Sequence, residues 1–236
     1  MTAELATPPA PRRMGEPMTR AQRAVFRIIR TALEVVMRVW FRLRVRDGHH
    51  IPTSGAFVLA PVHRSFIDTP LVSATTRRVI RYMGKEAMWE GSRFMAYFLT
   101  SMGGFPVHRG SADRDALKAA QEVLERGEPL VMFPEGTRRV GEIVQADDMH
   151  DGPAFVASRT QVPVVPVGIG GSARALPLGS SLPKPRKVVI VVGAPMTPPA
   201  LVNGRAPRKQ VRAFTEELQV EIQRLYDEAQ RQAGVA

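Results

Sequence analysis

The segment Ala56-Phe57-Val58-Leu59-Ala60-Pro61-Val62-His63-Arg64-Ser65-Phe66-Ile67-Asp68 joins a short apolar run to a polar motif. The apolar run follows turn-forming residues at 52–55 and is typical of a buried strand. This strand would place His63 at its carboxyl end, with Asp68 five residues further on. A carboxylate on one ring nitrogen of a neutral imidazole fixes its tautomer and supports it as a general base.

Similar apolar runs and amphipathic patterns alternate along the rest of the chain. Strands are predicted over residues 79–83, 130–133, 162–169 and 187–192, and helices over residues 68–76, 88–102, 113–126 and 152–160, with a closing amphipathic helix beyond residue 210. This alternation predicts an α/β fold with a mostly parallel central sheet and helices on both faces. Ligands in such folds bind beyond the carboxyl ends of the strands.

A second polar motif, Phe133-Pro134-Glu135-Gly136-Thr137-Arg138, directly follows the predicted strand 130–133. Both motifs therefore leave the carboxyl ends of predicted strands. We expect them to share one cleft although about seventy residues separate them. Histidine with aspartate five residues later is a common pattern on its own, so the interpretation depends on the two motifs together.

Four stretches of the chain, in order, resemble the glycerolipid acyltransferase family, and in particular its 1-acylglycerol-3-phosphate acyltransferases. They are His63 to Asp68, Gly104-Phe105-Pro106-Val107-His108-Arg109, Phe133 to Arg138 and Val162-Pro163-Val164-Val165-Pro166-Val167, and Lys85 resembles a lysine of the family between the first two. The resemblance covers about half of the chain, roughly residues 51–170. It agrees with the α/β fold predicted from the alternating elements.

The resemblance implies roles for individual residues. His63 would be the general base and Asp68 would orient it. The acceptor phosphate would lie among Arg138, Arg109, Lys85, Glu135, Gly136 and Thr137, with Glu135 orienting either Arg138 or the glycerol hydroxyls. Guanidinium groups match phosphate oxygens well, and a glycine turn allows backbone N–H groups to approach an anion.

The implied reaction moves a fatty acyl group from acyl-CoA or acyl-carrier protein to a hydroxyl of 1-acylglycerol 3-phosphate, giving phosphatidate. No cofactor beyond the thioester and no metal is expected. Where family members often carry a lysine-rich stretch, this chain is acidic over residues 147–151, so glycerol 3-phosphate or a glycolipid stays open as an alternative acceptor. A non-catalytic membrane-binding protein is the remote alternative.

Composition limits the organisation of the chain. Its 236 residues suit one sizeable domain, and the lack of cysteine excludes a disulfide scaffold and a thiol nucleophile. We expect a disordered tail at 1–17, an amphipathic helix at 18–46 and an acyltransferase domain at 47–236. The start has no apolar core typical of a signal peptide, which favours a peripheral protein on the cytoplasmic face of the membrane.

The net charge of +11 is concentrated in one segment. Between Arg20 and Arg46 there are eight arginines and one acid, Glu34. Charged residues at steps of three or four predict one basic helix face beside a wide apolar face, which suits a helix lying on anionic lipids. A helix packed on the domain core is the alternative, and nucleic acid is not expected because stacking aromatics are missing. Apolar residues of 88–99 would line an acyl tunnel, face the membrane or form an ordinary core helix.

Overall fold

The computed structural model describes residues 16–107 and 113–235, and these residues form a seven-stranded sheet. In chain order the strands are β1 Arg44–Arg46, β2 Val58–Pro61, β3 Arg81–Lys85, β4 Gly104–Val107, β5 Leu130–Val131, β6 Val164–Gly170 and β7 Val189–Val192. They lie in the order β1-β7-β6-β2-β5-β3-β4. Every neighbouring pair is parallel except β6 with β7, which is antiparallel. The predicted α/β fold with a mostly parallel sheet is confirmed.

Eight α-helices connect and cover these strands among the described residues. They are α1 Arg20–Trp40, α2 Asp68–Ser73, α3 Ala87–Glu90, α4 Arg93–Ser101, α5 Asp113–Glu125, α6 Gly152–Thr160, α7 Ser172–Ala175 and α8 Arg208–Ala233. The single helix predicted over 88–102 is two helices, because the chain breaks at Gly91 and restarts where Ser92 caps α4. Strands β1 and β4 were not predicted, since each is short and carries little apolar periodicity.

The N-terminal helix starts as the sequence predicts and ends earlier. Thr19 and Gln22 form a capping box at its start. Beyond Trp40 the chain leaves the helix through Arg42, which has a positive φ, and then pairs with β7 as strand β1. The expected helix at 18–46 is therefore corrected to Arg20–Trp40, because the residues after it gain sheet hydrogen bonds instead. Of the expected tail, residues 1–15 lie outside the described residues, and the Glu16 carbonyl accepts a bond from buried Arg81.

Helix α1 packs against the domain along one side only. Phe26 and Met37 are buried there, and α1 contacts α2 and α4. Arg30 also turns inward, where it bonds Glu34 and the Thr76 carbonyl. The helix thus covers the domain and still exposes apolar side chains on another side, namely Ile28, Val35, Val36, Val39 and Trp40. Among the described residues, no helix combines the length and the apolar character needed to cross a membrane.

The sheet brings the two motifs together at one edge. β2 lies between β6 and β5, with Val58 opposite Leu130 and Leu59 opposite Val131. Because β2 and β5 are parallel neighbours, the loops after them leave the sheet side by side. The expectation that His63 and Glu135 share one region is confirmed by this pairing. We call this edge, beyond the carboxyl ends of β2, β5 and β6, the motif edge.

Candidate active site

His63 and Asp68 form the pair that their spacing predicts. Nδ1 of His63 lies 3.2 Å from Oδ2 of Asp68. The Asp68 side chain is fully buried, and 14% of the His63 side chain is exposed. With Nδ1–H donating to the carboxylate, Nε2 is left as the basic nitrogen that can accept a proton from a bound hydroxyl.

The loop between the two residues is folded around the carboxylate. Oδ2 of Asp68 also accepts the backbone N–H groups of Arg64 at 2.7 Å and Ser65 at 2.6 Å. Asp68 begins helix α2, so the strand-to-helix turn closes on the first residue of the helix. The His63 ring stacks on Phe133 with centroids 4.0 Å apart. The imidazole is therefore held by a hydrogen bond on its ring nitrogen and by a ring contact on its face.

Glu135 links the second motif directly to the first. One of its oxygens accepts the backbone N–H of His63 at 2.8 Å, and the other accepts Nη1 of Arg64 at 2.5 Å. Glu135 and Arg64 are both almost completely buried. The sequence assigned Glu135 to Arg138 or to glycerol hydroxyls. The structure instead pairs it with Arg64, because its strand-end position points it under the His63 loop.

Arg64 also bonds the segment that follows the second motif. Its Nε donates to the Gly141 carbonyl at 3.0 Å and its Nη2 to the Ile143 carbonyl at 3.3 Å. Its guanidinium lies 5.2 Å from the ring centroid of Tyr226 on α8, and burial raises the pKa of that phenol, which stays neutral. No sequence pattern predicts a role for Arg64. The only feature of the sequence that points to Arg64 is its position between His63 and Asp68.

The second motif turns sharply at Gly136. Its φ of +63° is in the left-handed region, and an added Cβ would lie 2.8 Å from the ring of His150, so only glycine fits. The Gly136 N–H donates to the Phe133 carbonyl and the Thr137 N–H to the Glu135 carbonyl. These two N–H groups therefore close the turn itself. What the turn presents outward is the exposed side chains of Thr137 and Arg138.

Arg138 is the cation of this motif that faces solvent. Its guanidinium lies 5.7 Å from the centroid of Phe66, a residue of the first motif that is 62% exposed. Its neighbour Arg139 pairs with Asp148 at 2.9 Å, and its backbone N–H bonds the His63 carbonyl. The two adjacent arginines thus differ, one neutralised by a carboxylate and one facing outward beside the base.

Of the remaining predicted phosphate residues, Lys85 belongs to β3. Lys85 is exposed at the carboxyl end of β3, opposite Val107 at the end of β4. β3 is two strand positions from β2, about 10 Å sideways. Lys85 therefore lies at the motif edge but away from His63. Arg109 and its neighbour His108 lie outside the described residues.

Two of the three aspartates in the acidic stretch after the second motif lie close to arginine side chains. Asp148 pairs with Arg139, and Asp151 lies 3.8 Å from Arg212. His150 lies against Gly136, with its backbone N–H bonded to the Pro134 carbonyl. The structure places it beside the Gly136 turn.

Comparison with known proteins identifies the family of this chain. A family model described as Acyltransferase matches residues 42–170, more than half of the chain. The matched region contains both motifs and six of the seven strands, β1 to β6. The chain belongs to this acyltransferase family.

Particular relatives carry one recurring name. The chain is 24% identical over 202 residues to a 1-acyl-sn-glycerol-3-phosphate acyltransferase of Bacillus subtilis, a match that spans 85% of this chain and 96% of the relative. It is 29% identical over 128 residues to the alpha form of Homo sapiens, and this match spans 53% of the chain and only 44% of the human protein.

A solved structure shows the same fold. The crystal structure of the 1-acyl-sn-glycerophosphate acyltransferase of Thermotoga maritima superposes with a TM-score of 0.68. That match covers 89% of this chain and 83% of the other, at 24% sequence identity. At this identity the superposition supports the fold and not the substrate.

Proposed function

We propose that this chain acylates 1-acylglycerol 3-phosphate from an acyl thioester and thereby makes phosphatidate. The single observation that carries the proposal is the His63–Asp68 pair, held with Nε2 free beside the exposed Arg138. Membership in the acyltransferase family and the names of its relatives support the same reaction.

The chemistry follows from that geometry. Nε2 of His63 takes the proton of the acceptor hydroxyl while the hydroxyl oxygen attacks the thioester carbonyl. Asp68 stabilises the imidazolium that forms. A C–O bond forms, the C–S bond breaks, and the thiolate leaves with the proton that His63 had taken. No acyl-enzyme and no cofactor other than the thioester are needed, and Ser65 is not a nucleophile because its hydroxyl bonds the buried Leu176 carbonyl at 2.8 Å.

Acceptor recognition is assigned to the cations of the motif edge. Arg138 would hold the phosphate closest to the base, and Lys85 and Arg109 are proposed as further cations for the same phosphate. Thr137 adds an exposed hydroxyl on the same turn. Glu135 and Gly136 shape the turn that presents Arg138 and do not themselves contact the phosphate.

We also propose that the motif edge lies on a membrane surface, on its cytoplasmic side. Besides α1, exposed apolar side chains gather on the segments that follow β2, β3, β5 and β6. They are Phe66, Met88, Phe94, Met95, Tyr97, Val140, Ile143, Leu178 and Leu182. Trp89 of the same predicted cluster instead packs on Gly84 and Gly104. An apolar surface around the base would receive acceptor and acyl chains from the lipid phase.

The test is acceptor-dependent thiol release. Acyl-CoA or acyl-carrier protein is supplied with 1-acylglycerol 3-phosphate, with glycerol 3-phosphate, or with no acceptor. We expect release only with the lysolipid and a loss of at least 100-fold in His63→Ala. His49→Ala, at an exposed histidine away from the site, is the matched control and should keep full activity.

Other outcomes are equally informative. Release with glycerol 3-phosphate alone would make that the acceptor and keep the mechanism. Full activity of His63→Ala would remove the general base from the proposal. No release with any pair of substrates, together with vesicle binding, would favour the non-catalytic membrane protein.

A further inference from the structure

A basic cavity lies at the motif edge, separate from the Arg138 turn. Its volume is about 540 Å³, within the range of small-molecule sites. Five cationic side chains line it and no acidic residue does. They are Arg42, Arg174, Lys184, Arg186 and Lys187. We call this cavity the basic pocket.

The sheet topology places the basic pocket on the catalytic side of the molecule. Gly171 follows β6, Lys187 precedes β7 and Arg42 precedes β1. Since β7 runs antiparallel to β6 and parallel to β1, all three points lie at the motif edge. The pocket is one to three strand positions from β2, roughly 5–14 Å sideways.

Part of the positive charge of the basic pocket has an internal partner. Helix α8 ends here, and its last carbonyls carry about half a negative charge. Lys187 bonds the Gln232 carbonyl, and Arg174 bonds the Val235 carbonyl at 2.9 Å. Across residues 16–107 and 113–235, no carboxylate side chain pairs with any of the five cations. A surplus of positive charge therefore remains on Arg42, Lys184 and Arg186, and this charge favours the binding of an anion.

Exposed apolar residues flank lining residues of the basic pocket along the chain, and we call them its apolar rim. Trp40 precedes Arg42 and donates its indole N–H to the Pro183 carbonyl at 3.3 Å. Leu178 and Leu182, on the loop that carries Lys184, are 58% and 77% exposed. An exposed tryptophan beside cations is typical of the headgroup layer of a bilayer. A ligand that fits both parts has a phosphate for the cations and acyl chains for the rim.

We infer that the basic pocket binds the phosphate headgroup of an anionic glycerophospholipid. The site is distinct from the acceptor site at Arg138, and it would anchor the enzyme on lipids that are not its acceptor. The inference rests on the proposed membrane face, because the apolar rim continues that face. Guanidinium and ammonium groups bind phosphate oxygens by charge-assisted hydrogen bonds.

The experiment titrates the protein with dihexanoyl phosphatidate, a short-chain lipid used below its micelle concentration, and follows binding by calorimetry. The background is Arg138→Ala, which weakens the acceptor site. We expect Lys184→Ala/Arg186→Ala to weaken binding at least tenfold. The matched control Arg208→Ala/Lys209→Ala removes the same two residue types from the opposite end of α8, and should change binding less than twofold.

Two further ligands separate the possible sources of the phosphate. Inorganic phosphate should bind at least tenfold more weakly than the lipid, and equal affinity would overturn the lipid assignment. CoA should bind equally well to the pocket variant and its control. If the pocket variant loses CoA binding while its lipid binding is unchanged, the pocket belongs to the donor and the inference is overturned. The inference is also overturned if both double variants weaken lipid binding equally.

This test is independent of turnover. No thioester is present, so an inactive enzyme or a different acceptor would leave the titration unaffected. Equal thermal midpoints of the two double variants establish that both remain folded.

Discussion

Arginine has opposite roles in two regions of this molecule. Arg64, between His63 and Asp68 in the first motif, is buried and bonds Glu135 and three backbone carbonyls. On helix α1, Arg20, Arg23 and Arg27 are exposed. The same side chain is part of a rigid support in one region and part of a diffuse surface charge in the other.

The difference shows where single substitutions matter. In the motif loops the buried charged groups Arg64, Asp68 and Glu135 have defined partners, so the loss of one leaves another buried and unsatisfied. On α1 each of the exposed arginines Arg20, Arg23 and Arg27 adds a small, screened contribution to a sum. We therefore expect large, specific effects in the first region and small, additive effects in the second.

The largest effect is expected at Asp68. Asp68→Asn retains an oxygen for the N–H groups of Arg64 and Ser65 but no longer stabilises the imidazolium of His63. We expect kcat to fall about 10³- to 10⁴-fold, measured by thiol release, with little change in the thermal midpoint. Asp47→Asn, at an exposed acid, is the control. A loss below tenfold would show that Asp68 serves the fold rather than the base.

Glu135→Gln is expected to act mainly on stability. It keeps a group for the His63 N–H but leaves the buried Arg64 without a counter-charge, which costs about 3–5 kcal/mol. Chemical denaturation measures this loss. The exposed pair Arg212–Glu216 supplies the comparison, since Glu216→Gln should cost no more than about 1 kcal/mol. Similar losses in the free energy of unfolding for Glu135→Gln and Glu216→Gln would contradict the structural role of the buried Glu135–Arg64 pair.

Arg138→Ala is expected to weaken acceptor binding without affecting the base. Charge-assisted bonds to phosphate contribute about 1.5–3 kcal/mol, so KM for 1-acylglycerol 3-phosphate should rise about 10- to 150-fold. This KM is obtained from initial rates measured at varied acceptor concentration and fixed thioester concentration. Arg159→Ala, exposed at the end of α6, is the control. An unchanged KM would move the phosphate site to Lys85 and Arg109.

The smallest effects are expected on α1. Arg23→Ala/Arg27→Ala should weaken binding to anionic vesicles by about 1 kcal/mol per arginine at low salt, and the difference should shrink as salt increases. Vesicle sedimentation measures it, with Arg208→Ala/Lys209→Ala as the control. If the control weakens binding equally, net charge and not the α1 face directs the protein to the membrane.

Much of the site was predictable because it is local in sequence. His63 and Asp68 lie in one turn, and the apolar run before them identifies a strand end. The second motif likewise follows its strand. In contrast, the sequence did not predict the partner of Glu135, because Arg64 is 71 residues away and only the pairing of β2 with β5 brings the two together. The end of α1 was also misplaced, since β1 is stabilised by β7 and not by its own pattern.

The sequence by itself determined the alternating α/β fold, the pairing of His63 with Asp68, and the concentration of positive charge near the start of the chain. These depend on periodicity and on residues a few positions apart. Only the tertiary structure decided that Glu135 supports Arg64, that α1 buries Phe26 while exposing Ile28, and that cations from distant segments form the basic pocket. Such features depend on contacts between segments far apart in the chain, which burial and strand order create and local patterns do not encode.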